Sequence, residues 1–98
     1  TLDSLGLCLF VAFPVLDIPE AWNAIVKMVN AMTGSPVSGD DLSEMGKTTL
    51  LTEREFNLAA GFTRQDDRLP EFFREPVPPH NAVWDFTDEE IDAFWNFE

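Results

Sequence analysis

Apolar residues recur at helical spacing along most of the chain, which predicts an all-α fold. The clearest helix is predicted from Asp17 to Gly34, with Asp17 as N-cap, Pro19 near the first helical position and Glu20 completing a capping box. Gly34 supplies the C-terminal stop. The apolar face of this helix consists of Trp22, Ile25, Val26, Val29 and Met32.

Two further helices are predicted from capping signals. Ser38 and Asp41 have the spacing of a capping pair, and the apolar face that follows them continues as far as Gly61, which predicts a long helix. Thr87 with Glu90 opens a short last helix. Its buried face is expected to be Ile91, Phe94 and Trp95.

The first and last thirds of the chain are less regular. Residues 4–13 are apolar all round, so periodicity does not separate a buried helix from a buried strand, although Asp3 as an N-cap and Pro14 as a stop favour a helix. Three prolines predict an extended strap over residues 75–82. The whole pattern predicts a small irregular bundle of four to five helices with a Pro-rich strap, in a single domain, 1–98, with a real core.

Composition and charge exclude several classes of function. The 45% apolar and 12% aromatic content argue against disorder, and a net charge of -12 repels nucleic acid and anionic membrane surfaces. The longest apolar run contains Pro14 and is too short to span a bilayer. A lone cysteine excludes an internal disulfide framework, so a cytoplasmic setting is the default expectation. The chain opens without Met, directly into an apolar stretch, which suggests an excised fragment.

Cys8 is the only cysteine, and one thiol cannot build a metal site. An iron-sulfur cluster or a structural zinc needs about four ligands, so Cys8 is either a buried inert residue or one part of a site completed elsewhere. Its chemistry alone favours burial, and no basic residue within the first twenty positions would activate it as a nucleophile. Gly6 inside this apolar segment indicates a special backbone conformation or the close approach of something flat.

Other candidate groups have simpler explanations. His80 lies in a Pro-rich loop without a second histidine and is expected to be exposed. Asp66 and Asp67 could hold a metal or transfer protons, but a turn stabilised by local ion pairs with Arg64 and Arg68 is favoured. The Met and Trp residues lie on helical apolar faces and are expected to be core.

Three motifs in order carry a family resemblance. They are D-x-x-G-L-C at residues 3–8, N-A-x-T-G at residues 30–34, and E-R-x-F-N-x-x-x-G-F-x-R-x-D-D-x-L-P at residues 53–70. The series resembles the C-terminal domain of the tungsten-containing aldehyde ferredoxin oxidoreductase family. The chain departs from the family at Ala59 and Ala60, where an Arg-Glu pair is common, and it has no Tyr in a closing segment.

The resemblance implies specific roles for the first motif. Cys8 would be the fourth ligand of a [4Fe–4S] cluster whose other three cysteines lie in an upstream C-x-x-C-x-x-x-C segment. Asp3 would contact the pterin, and the turn backbone around Gly6 and Leu7 would lie close to it. The full-length enzyme would oxidise an aldehyde to a carboxylic acid at tungsten, or molybdenum, held by two pterins, and would pass electrons through the cluster to ferredoxin.

Two hypotheses of different class follow. In the first, this is an excised C-terminal domain that packs against the N-terminal and middle domains of one enzyme. Such a domain is expected to be inactive alone, to bind no cofactor, and to self-associate through the apolar residues 5–13. In the second, it is a free-standing acidic all-α interaction module without enzymatic activity. An upstream C-x-x-C-x-x-x-C would favour the first.

Overall fold

A computed structural model describes residues 1–96 and confirms the all-α fold. Within that range the α-helices are α1 (Ala12–Asp17), α2 (Pro19–Thr33), α3 (Gly39–Ala59) and α4 (Asp88–Ala93). Three 3-10 helices accompany them, η1 (Leu9–Val11), η2 (Arg64–Asp67) and η3 (Glu71–Arg74). The described residues contain no β-strand, and a single isolated bridge pairs Val77 with Ala82. The chain divides into two compact units, Thr1–Glu53 and Arg54–Glu98.

The first apolar segment is not the predicted helix. Residues 2–6 form turns, η1 follows, and α1 begins only at Ala12, so the helix predicted from Asp3 to Pro14 is wrong. Pro14 lies in the first turn of α1, where its missing N–H removes no intrahelical hydrogen bond. Proline is compatible with the beginning of a helix as well as with its end, and the sequence prediction assumed an end.

Helix α2 closely follows its sequence signals. Pro19 occupies the first helical position, and Gly34 ends the helix in the left-handed conformation with φ 69°, its N–H donating to the Asn30 carbonyl at 3.0 Å. The predicted Asp17 cap is wrong, because Asp17 is the last residue of α1 and the N-cap is Ile18. Pro19 nevertheless marks the start of the helix correctly.

Helix α3 begins at the predicted capping pair. The Asp41 carboxylate accepts from the Ser38 N–H at 2.7 Å and from the Ser38 hydroxyl at 2.6 Å. The Ser38 hydroxyl oxygen in turn accepts from the Asp41 N–H at 3.1 Å. These hydrogen bonds hold the pKa of Asp41 below its ordinary value. The helix ends at Ala59, two residues before Gly61, whose φ of 99° reverses the chain.

In the Arg54–Glu98 unit, the predicted extended strap is wrong. The Val77 N–H donates to the Ala82 carbonyl at 3.2 Å, and the Asn81 N–H donates to the Val77 carbonyl at 2.9 Å, so the segment folds back as a closed loop. The peptide bond between Pro78 and Pro79 in this loop is cis. His80 is exposed, as predicted.

Helix α4 has the predicted capping box at Thr87 and Glu90. The Thr87 N–H donates to the Glu90 carboxylate at 2.8 Å, and the Glu90 N–H donates to the Thr87 hydroxyl at 3.2 Å. Ile91 and Trp95 are half-buried, as their place on the apolar face suggests, but Phe94 is 59% exposed and does not belong to a buried face.

The hydrophobic core of the described residues is much smaller than predicted. Ile25 on α2 and Leu42 on α3 are the buried apolar side chains in that range, at 3% and 4% exposure. Met32, predicted as core, is 88% exposed, and Trp84 is 43% exposed. Helical periodicity selected a face correctly at Ile25 but could not show whether another element covers the rest of that face. No helix among residues 1–96 combines the length and apolar content needed to cross a bilayer.

Candidate functional site

The first candidate site is the turn at residues 1–8. The Leu7 N–H donates to the Leu2 carbonyl at 3.0 Å, and the Gly6 N–H donates to the Asp3 carbonyl at 2.8 Å. With Gly6 at φ 72°, this pair of hydrogen bonds is a Schellman motif. Glycine is required here because a left-handed residue with a Cβ is strained. The backbone explanation for Gly6 is therefore confirmed.

The side chains of the predicted site differ in exposure. Asp3 and Cys8 are exposed, and Leu7 is half-buried. A Cβ placed on Gly6 would meet no atom within 4 Å, so its face is open as well. The alternative in which Cys8 is buried is wrong, because its apolar neighbours are themselves uncovered.

An exposed apolar surface adjoins Cys8. Leu9 and Phe10 are each 76% exposed, and Phe13 is 61% exposed. The Phe10 and Phe13 rings lie with their centroids 6.1 Å apart. The Thr1–Glu53 unit thus presents its thiol beside uncovered aromatic and aliphatic side chains.

Close packing against α3 positions the turn. Gly46 on α3 is buried, and a Cβ added to it would come within 2.8 Å of the Thr1 backbone nitrogen and Cα and would also overlap the Thr1 hydroxyl. The start of the turn therefore lies directly on the α3 backbone, which only glycine permits. This contact was not predicted from the sequence.

The turn fits part of a metallocofactor site and cannot form a whole one. Among residues 1–96, no three His, Cys, Asp or Glu side chains are grouped as a metal ion would require. An exposed thiol can serve as one cluster ligand, an exposed carboxylate can accept hydrogen bonds, and the bare face of Gly6 leaves room for a flat group.

A second group of charged side chains lies in the Arg54–Glu98 unit. Arg54 binds Asp67 through two contacts, Nη2 to Oδ2 at 2.7 Å and Nη1 to Oδ1 at 2.9 Å. Arg68 contacts Asp88 at 3.2 Å and Asp92 at 2.9 Å. Because of these carboxylates, and chiefly its hydrogen bond to Asp92, the pKa of Arg68 is raised.

The predicted local ion pairs within residues 64–68 are therefore wrong in their partners. Arg64 contacts Asp92 at 3.5 Å, and Asp66 caps η2 by accepting from the Thr63 N–H at 2.7 Å. This cap, through the Thr63 hydrogen bonds, lowers the pKa of Asp66. Asp66 and Asp67 act separately, one as a cap and one as a partner of Arg54, and not as a carboxylate pair for chemistry.

Sequence reasoning missed one concave surface in this unit. A groove of about 410 Å³ has mainly aromatic and aliphatic walls. The only sequence signal for it was the recurrence of aromatic residues near the C-terminal end. Its lining consists of Asp67, Trp84, Phe86, Glu90, Ile91, Phe94 and Trp95.

Comparison with known proteins first gives the class of protein. Residues 1–97 match a family model described as aldehyde ferredoxin oxidoreductase, domains 2 and 3, so the helical chain is an oxidoreductase domain. The chain belongs to the aldehyde ferredoxin oxidoreductase family. This confirms the family resemblance of the three motifs.

One relative extends this comparison. The chain is 35% identical over 79 residues to the tungsten-containing aldehyde ferredoxin oxidoreductase of Pyrococcus furiosus. The matched region covers 79% of this chain and 12% of that relative's length. No solved structure matches the chain.

Proposed function

We propose that this chain is one domain of a larger tungsten-dependent oxidoreductase that converts an aldehyde to a carboxylic acid and passes the electrons to ferredoxin. The family match and the name of the Pyrococcus furiosus relative support this proposal. Because the chain spans 12% of that relative, most of the active site would be supplied by the N-terminal and middle domains of the same enzyme. The chain alone is expected to be inactive.

The exposure of Cys8 is the observation that carries the proposal. As a ligand of a [4Fe–4S] cluster, its thiolate would be one of about four, and the other three would come from residues outside this chain. An inert cysteine would be covered, whereas Cys8 faces outward beside the exposed Leu9 and Phe10. When bound, the cluster supplies one-electron transfer, and Cys8 would hold it next to the turn.

Asp3, Gly6 and Leu7 would serve the pterin side of the same turn. The exposed Asp3 carboxylate can accept hydrogen bonds from N–H groups of a pterin. The Gly6 face, with no atom within 4 Å of a Cβ position, allows a planar ring to approach the backbone. The two hydrogen bonds of the Schellman motif span residues 2–7, from before Asp3 to the residue before Cys8, and would help to keep the two side chains in a constant relation.

The proposal can be tested in the full-length protein by replacing Cys8 with Ser and measuring metal content. We expect loss of the cluster, seen as loss of iron and of the electron paramagnetic resonance signal of the reduced cluster. Cys8 is exposed, so the substitution should leave the fold intact. An enzyme that keeps its full iron and an unchanged signal after Cys8→Ser would refute the ligand role.

Two companion variants separate the roles of the turn. Asp3→Asn keeps the shape of the side chain and removes the charge, so we expect weaker pterin and tungsten retention with the iron content unchanged. Ser4→Ala is a matched control, because Ser4 is an exposed neighbour in the same turn. Loss of iron in Ser4→Ala to the same degree as in Cys8→Ser would show that the turn had only been disrupted.

A further inference from the structure

Helix α4 depends on contacts outside itself. It has six residues, Asp88–Ala93, and helices shorter than about 12 residues are marginal in water on their own. Its capping box at Thr87 satisfies the first turn. The remaining polar contacts of the helix within the described residues are ion pairs to two arginines on and beside η2, Arg64 and Arg68.

In these ion pairs, one arginine side chain bridges two acidic side chains of α4. Asp88 and Asp92 are four residues apart and so lie on one face of α4. Arg68 reaches both carboxylates, with Nε 3.2 Å from Asp88 and Nη2 2.9 Å from Asp92. Arg64 adds a longer contact of 3.5 Å to Asp92. One guanidinium therefore holds both ends of a one-turn segment of the helix.

Two observations indicate that these ion pairs contribute little to stability. Asp88 is 53% and Arg64 73% exposed, so solvent and salt screen their part of the attraction. The Nη1 of Arg68 is buried without a hydrogen-bond partner among the described residues, and an unsatisfied donor offsets part of what the ion pairs gain. The first turn of α4 also gathers three carboxylates, Asp88, Glu89 and Glu90, whose repulsion Arg68 relieves.

Opening α4 would alter the apolar groove. Ile91 and Glu90 on α4 line one part of it, and Trp84 and Phe86 from the preceding segment line another. A small cavity of about 20 Å³ has Arg68, Asp88 and Ile91 in its lining, so α4 contributes to the walls of both spaces. Movement of α4 would therefore change the width of the groove.

We propose that Arg68, with Arg64, forms an ionic latch that holds α4 in place as one wall of the groove and releases it when ionic strength rises. The inference stands apart from the proposed role of Cys8. The conformational change involves α4. Its salt dependence is expected to arise from the arginine ion pairs and not from fraying of the helix end.

Hydrogen exchange measured by mass spectrometry on the full-length protein tests the latch. The informative amides are those of Ile91, Phe94 and Asn96, whose N–H groups donate within α4 and its last turn at 3.0 to 3.2 Å. Raising NaCl from about 0.1 M to about 1 M shortens the screening length from about 10 Å to about 3 Å, so we expect exchange to become about fivefold faster.

Variants separate the latch from fraying. Arg68→Met keeps an unbranched apolar stem and removes the charge, so exchange should already be fast at low salt and should respond only weakly to NaCl, because the longer Arg64–Asp92 contact remains. Thr87→Ala weakens the cap and speeds exchange but should keep the salt response. Lys47→Met, which breaks a surface pair to Glu44 at 3.9 Å, should change nothing in α4.

The outcomes decide between the two explanations. A salt response that persists unchanged in Arg68→Met, or that is absent in the unaltered protein, would overturn the latch. If Arg68→Met does not fold, Asp92→Asn removes the carboxylate shared by both arginines and should abolish most of the salt response. Retention of the full response in Asp92→Asn would refute the proposal equally.

Discussion

Replacing Arg54 with Met is expected to destabilise the Arg54–Glu98 unit by about 2 kcal/mol. Arg54 holds Asp67 through two short contacts, and these side chains are 12% and 25% exposed. Breaking a fully buried ion pair costs about 3 to 5 kcal/mol, and an exposed pair contributes about 0 to 1 kcal/mol. Because the Asp67 side chain is 25% exposed, the Arg54–Asp67 pair is neither fully buried nor fully exposed, and the free-energy cost of breaking it lies between the two ranges.

A second contact of Arg54 is partly retained by methionine. The Arg54 guanidinium carbon lies 4.8 Å from the centre of the Trp95 ring, a cation–π geometry that contributes about 0.5 to 1 kcal/mol. Methionine loses this attraction but still packs a polarizable sulfur and methylene groups against the ring. Leaving the Asp67 carboxylate without its partner should therefore account for most of the destabilisation.

Urea unfolding of the 98-residue chain, followed by tryptophan fluorescence and circular dichroism, measures the effect. For an m-value of about 1 kcal/mol/M, the Arg54→Met midpoint should fall by about 2 M. The matched control is Lys47→Met, which breaks a pair 38% and 71% exposed and should cost less than about 0.5 kcal/mol.

A double-mutant cycle with Asp67→Asn supplies the decisive comparison. If the two side chains act as a pair, Asp67→Asn should cost about 1.5 kcal/mol less in the Arg54→Met background than alone. The reasoning is refuted if the two effects simply add, or if Arg54→Met lowers the midpoint no more than Lys47→Met does.

Two smaller changes test the turns of the Thr1–Glu53 unit. Gly6→Ala should destabilise the turn by about 1 to 2 kcal/mol through backbone strain alone, because φ is 72° and no atom lies near the new Cβ; an unchanged exchange rate of the Leu7 amide would contradict this. Asp41 should titrate below its ordinary pKa of 3.8, and Ser38→Ala should raise that midpoint. The contribution of ionised Asp41 to stability is therefore complete above pH 3.8 and is lost as the pH falls through the lower pKa of the folded state. A nuclear magnetic resonance titration with the same midpoint in both proteins would exclude the hydrogen bond from the Ser38 hydroxyl as a cause, since the Ser38 N–H still donates to Asp41 in the variant.

The helices that could be predicted from the sequence are those with local signals at their ends. Pro19 and Gly34 bound α2, and the Ser38–Asp41 pair starts α3, because each signal acts within one turn of the chain. Pro14 was ambiguous, since the same residue can end one helix or lie in the first turn of another. The left-handed Gly6, at φ 72°, interrupts the predicted helix on its N-terminal side.

The side-chain partners were less accessible to sequence reasoning. Arg68 and Asp92 are 24 residues apart and Arg64 and Asp92 are 28 apart, so adjacent Asp66 and Asp67 offered the simpler pairing. The exposure of Cys8 was missed for a similar reason: apolar neighbours along the chain predict burial only when another element covers them. The three motifs in series indicated the family of the chain correctly, because motif spacing does not depend on burial.

The turns at Gly6, Gly34 and Gly61 have in common a backbone conformation that favours D-amino acids over L-amino acids. Each has a positive φ, at 72°, 69° and 99°, a region that suits the mirror-image amino acids. A chain assembled by chemical ligation could therefore carry D-alanine at these positions with its turns intact, whereas L-alanine would strain all of them. At these three points the fold depends on a residue without an L-configured side chain.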